Sequence, residues 1–395
     1  MSTASDHPTP EGSLPQSQPV AADEDWSTKQ VTPIGRLTSA IVASELSLAM
    51  GLMVPLQLVL ALHLTRLADG ADATGAFGIV TGFGALMGMI ANPIGGWLSD
   101  RSKSRLGRRR TWIMTGALTG ALAVVAVSFT TEVWQVVVVW CCVTSLFNFQ
   151  YAATVGLLAD QVPPKRRGGV SGILGVTMAG GPLIGIVIAN TMTAGSPQQW
   201  QVLALATIVL AVVAVLLIRE KASVVSAQAA GGSGGLLAVV KSFWISPRRH
   251  PAYWWAWLVR FLLTCAIAAP SFNAFYLMQR FGYSPDEVGG MILQLSGAMI
   301  VAMAISAIGC GFISDAVKRQ KPFVVAAGIL AAAALVGLAF ATSIGVVYVV
   351  FVALGIATGL FSSVDTALCI RMLPNTADAG RDMGMIANPI GGWLS

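Results

Sequence analysis

The sequence is poor in charged residues. Only 11% of its 395 residues are Asp, Glu, Lys or Arg, whereas 55% are hydrophobic. Soluble domains have about a quarter of their residues charged. So low a charge content excludes an ordinary soluble protein and predicts a protein that is embedded in a lipid bilayer.

Cysteine and histidine are also scarce. The five cysteines fall within long apolar segments, and the three histidines, His7, His63 and His250, are far apart in sequence. Neither residue type has the spacing of a disulfide framework or a zinc site. The sequence likewise contains no nucleophile–base pattern, phosphate-binding loop or compact basic domain. We therefore expect no enzyme activity, cofactor, metal or nucleic-acid partner; the expected partners of the monomer are a small-molecule solute and the bilayer.

What the sequence does contain is a series of long apolar segments. A membrane-spanning helix needs about 20 residues, whereas a barrel strand needs only about ten. Because lipid offers no partner for unpaired backbone groups, segments of helix length must be helical. The fold class is therefore predicted to be all-α integral membrane. The predicted helices, numbered one to ten, cover residues 37–64, 74–98, 111–130, 133–158, 169–193, 200–218, 251–279, 288–313, 322–343 and 345–370.

Lys and Arg are distributed asymmetrically about these helices. The N-terminal tail and the connections that follow even-numbered helices hold 21 of the 24 basic residues; the exceptions are Arg66, Arg260 and Arg280. Basic loops stay in the cytoplasm, so we expect a multi-pass protein of the plasma or inner membrane with a cytoplasmic N-terminus. Residues 1–36, rich in Pro, Ser and acids, are predicted to be a disordered cytoplasmic tail.

The predicted helices form two halves. Residues 37–218 hold six helices and residues 251–382 hold four, and residues 219–250 between them, which include AQAAGGSGGLL, read as a flexible cytoplasmic linker. GGWLSDRSKSRLGRRR follows helix two, and CGFISDAVKRQKP follows helix eight, so that Asp100 and Asp315 precede similar basic loops. Parallel six-helix repeats joined by a long loop are typical of secondary transporters.

The first of these loops resembles the signature of the major facilitator superfamily. That signature, Gly-x-Leu-x-Asp-Arg followed by Gly-Arg-Arg, is met by Gly96, Leu98, Asp100, Arg101, Gly107, Arg108 and Arg109. The longer form SDRSKSRLGRRR is similar to the loop of glycoside–pentoside–hexuronide cation symporters and plant sucrose/proton symporters. The resemblance covers residue 37 to about residue 382. It implies a major facilitator fold of two six-helix pseudo-repeats, the second truncated here.

The resemblance also implies a role for the loop. In the family the Asp caps the N-terminus of helix eleven, where the helix dipole favours an anion, and pairs with Arg, which favours the outward-open state. The predicted conformational latch comprises Gly96, Asp100, Arg101, Gly107, Arg108, Arg109 and Asp315. A basic loop that simply anchors the end of helix two is the alternative, and the two roles are compatible.

Polar residues within helices one, four, seven and ten form the second candidate site. Ionisable residues are costly in lipid and usually face a cavity, and in the superfamily these four helices line the central cavity. Helical rise places Glu45 and Arg260 roughly 13 Å, and Asp365 about 9 Å, inside the basic boundary, depths that suit an Arg260–Asp365 pair. The alternatives are a buried structural ion pair and an Asp365 side chain that simply reaches the membrane interface. The candidates for the cavity and for proton coupling are Glu45, Asn148, Gln150, Tyr151, Arg260, Thr358, Ser362 and Asp365.

The function expected from these features is secondary active transport of a small polar solute, a sugar or glycoside, by alternating access. Sodium-coupled sugar symporters use acidic residues in helices two and four, but helix two has no acid and helix four has none before Asp160. We therefore expect the proton as coupling ion, carried by Glu45 or Asp365. Helix five contains GGPLIGIV, close to the Gly-Pro-x-x-Gly-Gly signature of drug/proton antiporters, so efflux of amphipathic compounds is the alternative. A transporter-like sensor is a third possibility.

The stretch MGMIANPIGGWLS occurs twice, at residues 87–99 and 383–395. The second copy stands where helix eleven should begin and would run in the opposite direction to the first. Its length of about 20 Å is less than the roughly 30 Å hydrocarbon core. We expect it to be a splice of the first copy rather than a functional repeat, and we expect the chain as given to transport poorly.

Overall fold

The chain forms a bundle of long helices. The computed structural model describes residues 32–68, 70–102, 104, 106–220, 258, 261–262, 265–266, 268–317 and 321–372, and these ranges contain no strand. The all-α prediction is therefore confirmed. The helices are α1 (Ile34–Leu67), α2 (Gly70–Arg101), α3 (Arg108–Val127), α4 (Val133–Gln161), α5 (Pro164–Ala189), α6 (Pro197–Leu217), α7 (Asn273–Phe281), α8 (Pro285–Val317), α9 (Lys321–Ala339) and α10 (Ile344–Met372).

Nine of the described helices, all except α7, are long and apolar enough to cross a membrane. Helix α7 follows a short 3-10 turn at Ala269–Phe272, and most earlier residues of predicted helix seven lie outside the described ranges. Helix α1 begins at Ile34, inside the segment predicted as tail. The rest of that tail, most of the linker and the repeated stretch 383–395 also lie outside the described residues.

Helix α1 changes geometry in its middle. Two consecutive segments, Ala49–Met53 and Pro55–Val59, are π-helical. Pro55 has no backbone N–H to donate to the carbonyl of the preceding turn, and a shift to π-type bonding accommodates this loss within the membrane. Such π segments are frequent at functional sites. The irregular part of α1 is deeply buried, since Leu58 and Val59 are fully enclosed by neighbouring helices.

Close helix packing depends on glycine in both halves. A Cβ atom at Gly84 of α2 would lie 2.7 Å from the indole of Trp140 on α4. A Cβ atom at Gly181 of α5 would lie 3.0 Å from the Cβ atom of Ala49 on α1. In the second half, a Cβ at Gly355 of α10 would overlap the backbone carbonyl of Met299 on α8. Small residues four apart allow such an approach, so each of these helix pairs requires glycine at the contact.

The contacts between α1–α6 and α7–α10 lie at the end of the bundle opposite the α2–α3 loop. We call this the far end, and the end with the α2–α3 loop the basic end. Phe77 of α2 packs edge-to-face on Phe272 and Phe275, with ring centroids 4.9 and 5.3 Å apart. Gln279 of α7 donates a 2.9 Å hydrogen bond to the Thr74 hydroxyl of α2. The two halves are thus held together at the far end.

Helix α5 likewise contacts the second half at the far end. At its far end, the side chain of Asn190 lies directly over Gly289 of α8. Towards the basic end, Cβ atoms built at Gly169, Gly172 and Gly175 would meet no atom within 4 Å. Contact between α5 and α8 is therefore made near the far end, and the part of α5 nearer the basic loops is loosely surrounded.

Candidate functional site

Arg109 is the central residue of a charge cluster at the basic end of α1–α6. Its side chain is only 6% exposed. The guanidinium forms ion pairs with Asp100 at 2.7 Å and with Asp160 at 2.9 Å, and it donates a 3.0 Å hydrogen bond to the Ser99 hydroxyl. A buried charge is tolerated only when it is paired and hydrogen-bonded. Each guanidinium nitrogen of Arg109 meets that condition.

Arg108 contacts the same two carboxylates from the first residue of α3. Its guanidinium lies 2.6 Å from Asp160 and 3.9 Å from Asp100. Asp100 lies near the end of α2, and Asp160 near the end of α4. The charge cluster, defined as Asp100, Arg108, Arg109 and Asp160, therefore ties the basic ends of three helices together.

Two glycines provide the space that this cluster needs. Gly107 precedes α3 with φ of 108°, a backbone conformation that side chains disfavour, and a Cβ there would overlap the Glu220 carboxylate. Gly156 of α4 lies against the guanidinium of Arg109, whose Nε would be 2.7 Å from an added Cβ. Glycine at Gly107 lets Glu220 approach the start of α3, and glycine at Gly156 lets the Arg109 guanidinium approach α4.

Glu220 caps the N-terminus of α3. Its two carboxylate oxygens accept hydrogen bonds from the backbone N–H of Arg109, at 3.2 and 3.1 Å, and one of them accepts a further bond from Arg110 at 3.2 Å. The first turn of α3 contains no acid. Glu220, which follows α6, therefore supplies the negative charge that a helix N-terminus favours.

The structure brings together only part of the predicted conformational latch. Asp100, Arg108 and Arg109 belong to the charge cluster, with Gly107 directly before it. Arg101 instead lies over the ring of Trp97, with its guanidinium carbon 4.3 Å from the ring centroid. No atom lies within 4 Å of a Cβ built at Gly96. The side chain of Asp315 and the position expected for helix eleven lie outside the described residues.

Asp160 and Glu220 take part in this region but were not predicted to do so. Asp160 lies 51 residues and Glu220 111 residues from Arg109 along the chain. No motif spacing connects positions so far apart. The available signal was their location: both acids follow helices that end on the side where the basic residues are concentrated.

The second candidate site centres on Glu45 of α1. The residue is 5% exposed, and its Oε2 atom has no hydrogen-bond partner among the residues that the structure describes. It lies roughly 16 Å along the helix from Ile34, at 1.5 Å per residue. Ionisable side chains buried inside membrane helices are rare, and they commonly mark solute or proton pathways. Of the predicted residues whose side chains are described, Glu45 is the one whose burial most requires a functional explanation.

Gln150 belongs to a buried polar cluster that joins α1, α4 and α6. Its side-chain amide donates to the Ser44 carbonyl at 3.1 Å and to the Ser47 hydroxyl at 3.3 Å. The Ser44 hydroxyl lies 2.7 Å from that of Thr154, and Ser47 donates to the Thr207 carbonyl at 2.9 Å. Bonds between helices are thus a principal role of Gln150, which was predicted to face the cavity.

Asn148 lines a crevice between α1, α2 and α4. Its side-chain N–H donates to the Thr144 carbonyl at 2.7 Å, whereas its buried Oδ1 atom has no partner in the described ranges. The crevice is open on one side, with Trp140, Thr81 and Leu52 among its lining residues. Its polar groups are hydroxyls and an amide, and its lining includes no charged residue. Such a surface suits a neutral polar ligand.

The remaining predicted residues do not form a site within the described part of the chain. Thr358 and Ser362 donate to carbonyls of their own helix, at 2.8 and 3.1 Å. Tyr151 is half-buried and packs against the main hydrophobic core. Arg260 and the side chain of Asp365 lie outside the described residues, so the Arg260–Asp365 pair stays a prediction.

Solved structures of transporters have a similar fold. A nucleoside transporter superposes with a TM-score of 0.68 and 15% identity, over 91% of this chain and 88% of the other. A D-xylose–proton symporter gives 0.64 and 14%, over 89% and 86%. A bacterial homologue of the human lysosomal transporter Spinster, inward-facing and occupied, gives 0.65 and 12%, over 91% and 78%.

The sequence family agrees with these structural similarities. Residues 37–393 match the Major Facilitator Superfamily. This range contains the basic-loop signature, the charge cluster and all of α2–α10. The multi-pass membrane architecture predicted from composition is the one that this family has. The chain is therefore a member of the Major Facilitator Superfamily, a family of transporters rather than enzymes.

Proposed function

We propose that this transporter moves a small neutral polar solute, a sugar or glycoside, in symport with protons. The observation that carries this proposal is the burial of Glu45 in α1, where its Oε2 atom has no hydrogen-bond partner within the described part of the chain. Binding and release of a proton change the charge of this side chain by one unit at a place where charge is costly. A protonation that accompanies solute binding therefore biases one conformation of the transporter over another.

The crevice beside α1 supports a sugar-like solute. Its uncharged lining includes Trp140, which is 1% exposed, and Asn148, which is 3% exposed and whose carbonyl oxygen has no partner among the described residues. A sugar offers hydroxyl groups that donate to amide oxygens, and its apolar ring face packs well on an aromatic side chain. The similarity in fold to a D-xylose–proton symporter is compatible with this proposal.

Alternating access is supported by the placement of contacts between the halves. The aromatic contacts of Phe77 close the far end. We propose that the basic end faces the cytoplasm, because basic loops remain there, and that this conformation opens towards the cytoplasm. Movement of the halves about the solute would break the far-end contacts and close the basic end, where the charge cluster lies.

Uptake into proteoliposomes by a version of the protein with helices eleven and twelve restored tests the proposal. A panel of radiolabelled pentoses, hexoses, disaccharides and nucleosides is offered with an inward proton gradient and without one. We expect a sugar or glycoside to accumulate only with the gradient. Glu45→Gln is expected to abolish this accumulation while solute exchange at equal pH continues, because the amide binds no coupling proton.

Glu132→Gln is the matched control, because Glu132 is an exposed acid that caps α4 at the far end. It should accumulate solute as the wild type does. Asp365→Asn is assayed in parallel, since Asp365 is the other predicted proton carrier. Full proton-driven accumulation in both Glu45→Gln and Asp365→Asn would refute the assignment of the coupling proton to these two residues.

Efflux of amphipathic compounds is the second candidate function, based on GGPLIGIV in α5. In the structure, Gly181 and Gly185 of this stretch pack on α1, where a Cβ at Gly185 would lie 2.8 Å from the Met50 sulfur. Their close approach explains these glycines by packing alone. The vesicle assay separates the functions: an exporter depletes its substrate, a symporter accumulates it, and a sensor binds it without net movement.

A further inference from the structure

A second cavity lies at the far end, away from the charge cluster and from Glu45. It has a volume of about 180 Å³ and lies between the end of α1, the α3–α4 loop and the α5–α6 loop. His63, Arg66, Gly195 and Trp200 are among its lining residues. The proposed transport mechanism uses none of them. Unlike the crevice beside Asn148, this cavity has a cation in its wall.

Arg66 lines the cavity, and most of its N–H donors have no acceptor among the described residues. Its guanidinium donates one hydrogen bond to the Gly195 carbonyl, and a guanidinium carries five N–H donors. Within the described part of the chain, no Asp or Glu forms an ion pair with Arg66. Gly195, with φ of 69°, turns the α5–α6 loop so that its backbone lies along the Arg66 side chain. The loop thus holds the cation in place without neutralising it.

Trp200 contributes a second donor. The residue is fully buried, yet its indole N–H has no hydrogen-bond acceptor in the structure. A buried donor without an acceptor is destabilising. Its ring is held by an edge-to-face contact with His63, at 5.8 Å between centroids. A ligand with a hydrogen-bond acceptor in this cavity would satisfy the indole.

His63 is oriented by the adjacent loop. The Thr130 hydroxyl donates to the Val127 carbonyl at 2.7 Å and forms a 2.9 Å hydrogen bond with Nε2 of His63. This bond fixes the ring against Trp200, and the indole is fixed in turn. The cavity wall is accordingly built from side chains that are already held in position.

We propose that this far-end cavity binds a small anionic group, a phosphate or a carboxylate, through the Arg66 guanidinium and the Trp200 indole N–H. A guanidinium with free N–H groups matches the oxygens of such an anion in geometry and charge. The anion can come from two sources, the headgroup of an anionic phospholipid or a soluble anion. The cavity lies at the ends of membrane-spanning helices, where both have access.

Binding to the purified full chain tests this proposal. Calorimetric titrations with sodium phosphate and with sodium acetate, in uncharged detergent, measure capture of soluble anions. In the second arm, native mass spectrometry compares the phosphatidylglycerol and phosphatidylcholine molecules retained by the protein. Both arms use the wild type, Arg66→Gln, Trp200→Phe and the control Arg280→Gln. Arg280 is also a far-end arginine bound to a loop carbonyl, that of Ala341, at 3.1 Å.

We expect Arg66→Gln to weaken anion binding about tenfold or more, since hydrogen bonds to charged groups are strong. Trp200→Phe keeps an aromatic ring while it removes the N–H, so we expect anion binding to weaken severalfold. Arg280→Gln should bind as the wild type does.

If the variants lose affinity only for phosphate or acetate in the titrations, the ligand is a soluble anion. If they lose only bound phosphatidylglycerol, the ligand is a lipid headgroup. Either result supports the site. The proposal would be overturned if Arg66→Gln and Trp200→Phe bound the anions as the wild type does in both arms. It would also be overturned if Arg280→Gln lost as much binding as they do. Melting temperatures establish that each variant is folded.

Discussion

At the scale of single residues, Arg109 and its acidic partners differ in their exposure. The Arg109 side chain is 6% exposed, whereas those of Asp160 and Asp100 are 36% and 53% exposed. The two carboxylates therefore keep part of their hydration, and the cation does not. Loss of either acid leaves Arg109 with its other partners, but loss of Arg109 leaves two neighbouring carboxylates without their central cation.

The first residue-scale prediction concerns Asp100→Asn. We expect transport to slow severalfold while solute binding is retained, because Asp100 is remote from the Asn148 crevice and its exposed ion pair contributes about 1 kcal/mol or less. Initial uptake rates and equilibrium solute binding are measured side by side. An unchanged uptake rate would show that Asp100 has no part in the conformational cycle.

A second residue-scale prediction compares Arg109→Ala with Arg101→Ala. Breaking a buried ion pair costs about 3–5 kcal/mol, and the exposure of both acids reduces this to about 2–3 kcal/mol for Arg109. Arg101 makes an exposed cation–π contact worth about 0.5–1 kcal/mol. Thermal unfolding in detergent should therefore show a clearly lower midpoint for Arg109→Ala than for Arg101→Ala. Equal midpoints would mean that the charge cluster adds little to stability.

At the scale of helices, packing in the second half depends on how closely α8 and α10 approach. Gly355 and Gly359 of α10 both lie against the backbone of α8. The Ser306 hydroxyl of α8 also donates to the Ile356 carbonyl at 3.3 Å. Backbone atoms do not move aside as a flexible side chain does, so this contact tolerates little added volume.

The helix-scale prediction is that Gly355→Ala destabilises the protein by about 1–3 kcal/mol through overpacking. Gly328→Ala is the matched control, because a Cβ at Gly328 of α9 meets no atom within 4 Å. That substitution should be neutral or should add up to about 1 kcal/mol through better helix propensity. Unfolding midpoints of the two variants decide the question, and a stable Gly355→Ala protein would contradict the packing described here.

At the scale of the whole molecule, the aromatic contacts of Phe77 hold the two halves together at the far end. Each aromatic pair contributes about 0.5–1.5 kcal/mol. Phe77→Ala removes two pairs and should shift the population towards a conformation that is open at the far end, by about tenfold in the equilibrium constant. The α2 position Thr74, which contacts Gln279 across the halves, then becomes more exposed.

Thiol labelling of a cysteine introduced by Thr74→Cys measures this shift. The Phe77→Ala substitution should raise the labelling rate severalfold. Phe129→Ala is the control, since Phe129 also lies at the far end but is 70% exposed. If Phe77→Ala labels at the same rate as the control, these aromatic contacts do not hold the far end closed.

The sequence alone determined that this protein is a helical membrane transporter. Lipid imposes helices of about 20 apolar residues, so composition and length suffice to find them. The ion pairing of Asp100 with Arg108 and Arg109 was predictable for a different reason: one short loop signature contains all three residues. The glycine contacts of α2, α5 and α10 followed from spacing within single helices.

Only the tertiary structure showed which distant side chains meet. Asp160 and Glu220 reach α3 from the ends of other helices, and no spacing along the chain relates them to Arg109. Asn148 and Gln150 looked equivalent in the sequence, yet residues two apart on an α-helix point about 200° apart. Asn148 therefore lines a crevice, whereas Gln150 donates hydrogen bonds to α1. Which direction leads to a neighbouring helix and which to open space depends on the packing of the whole bundle.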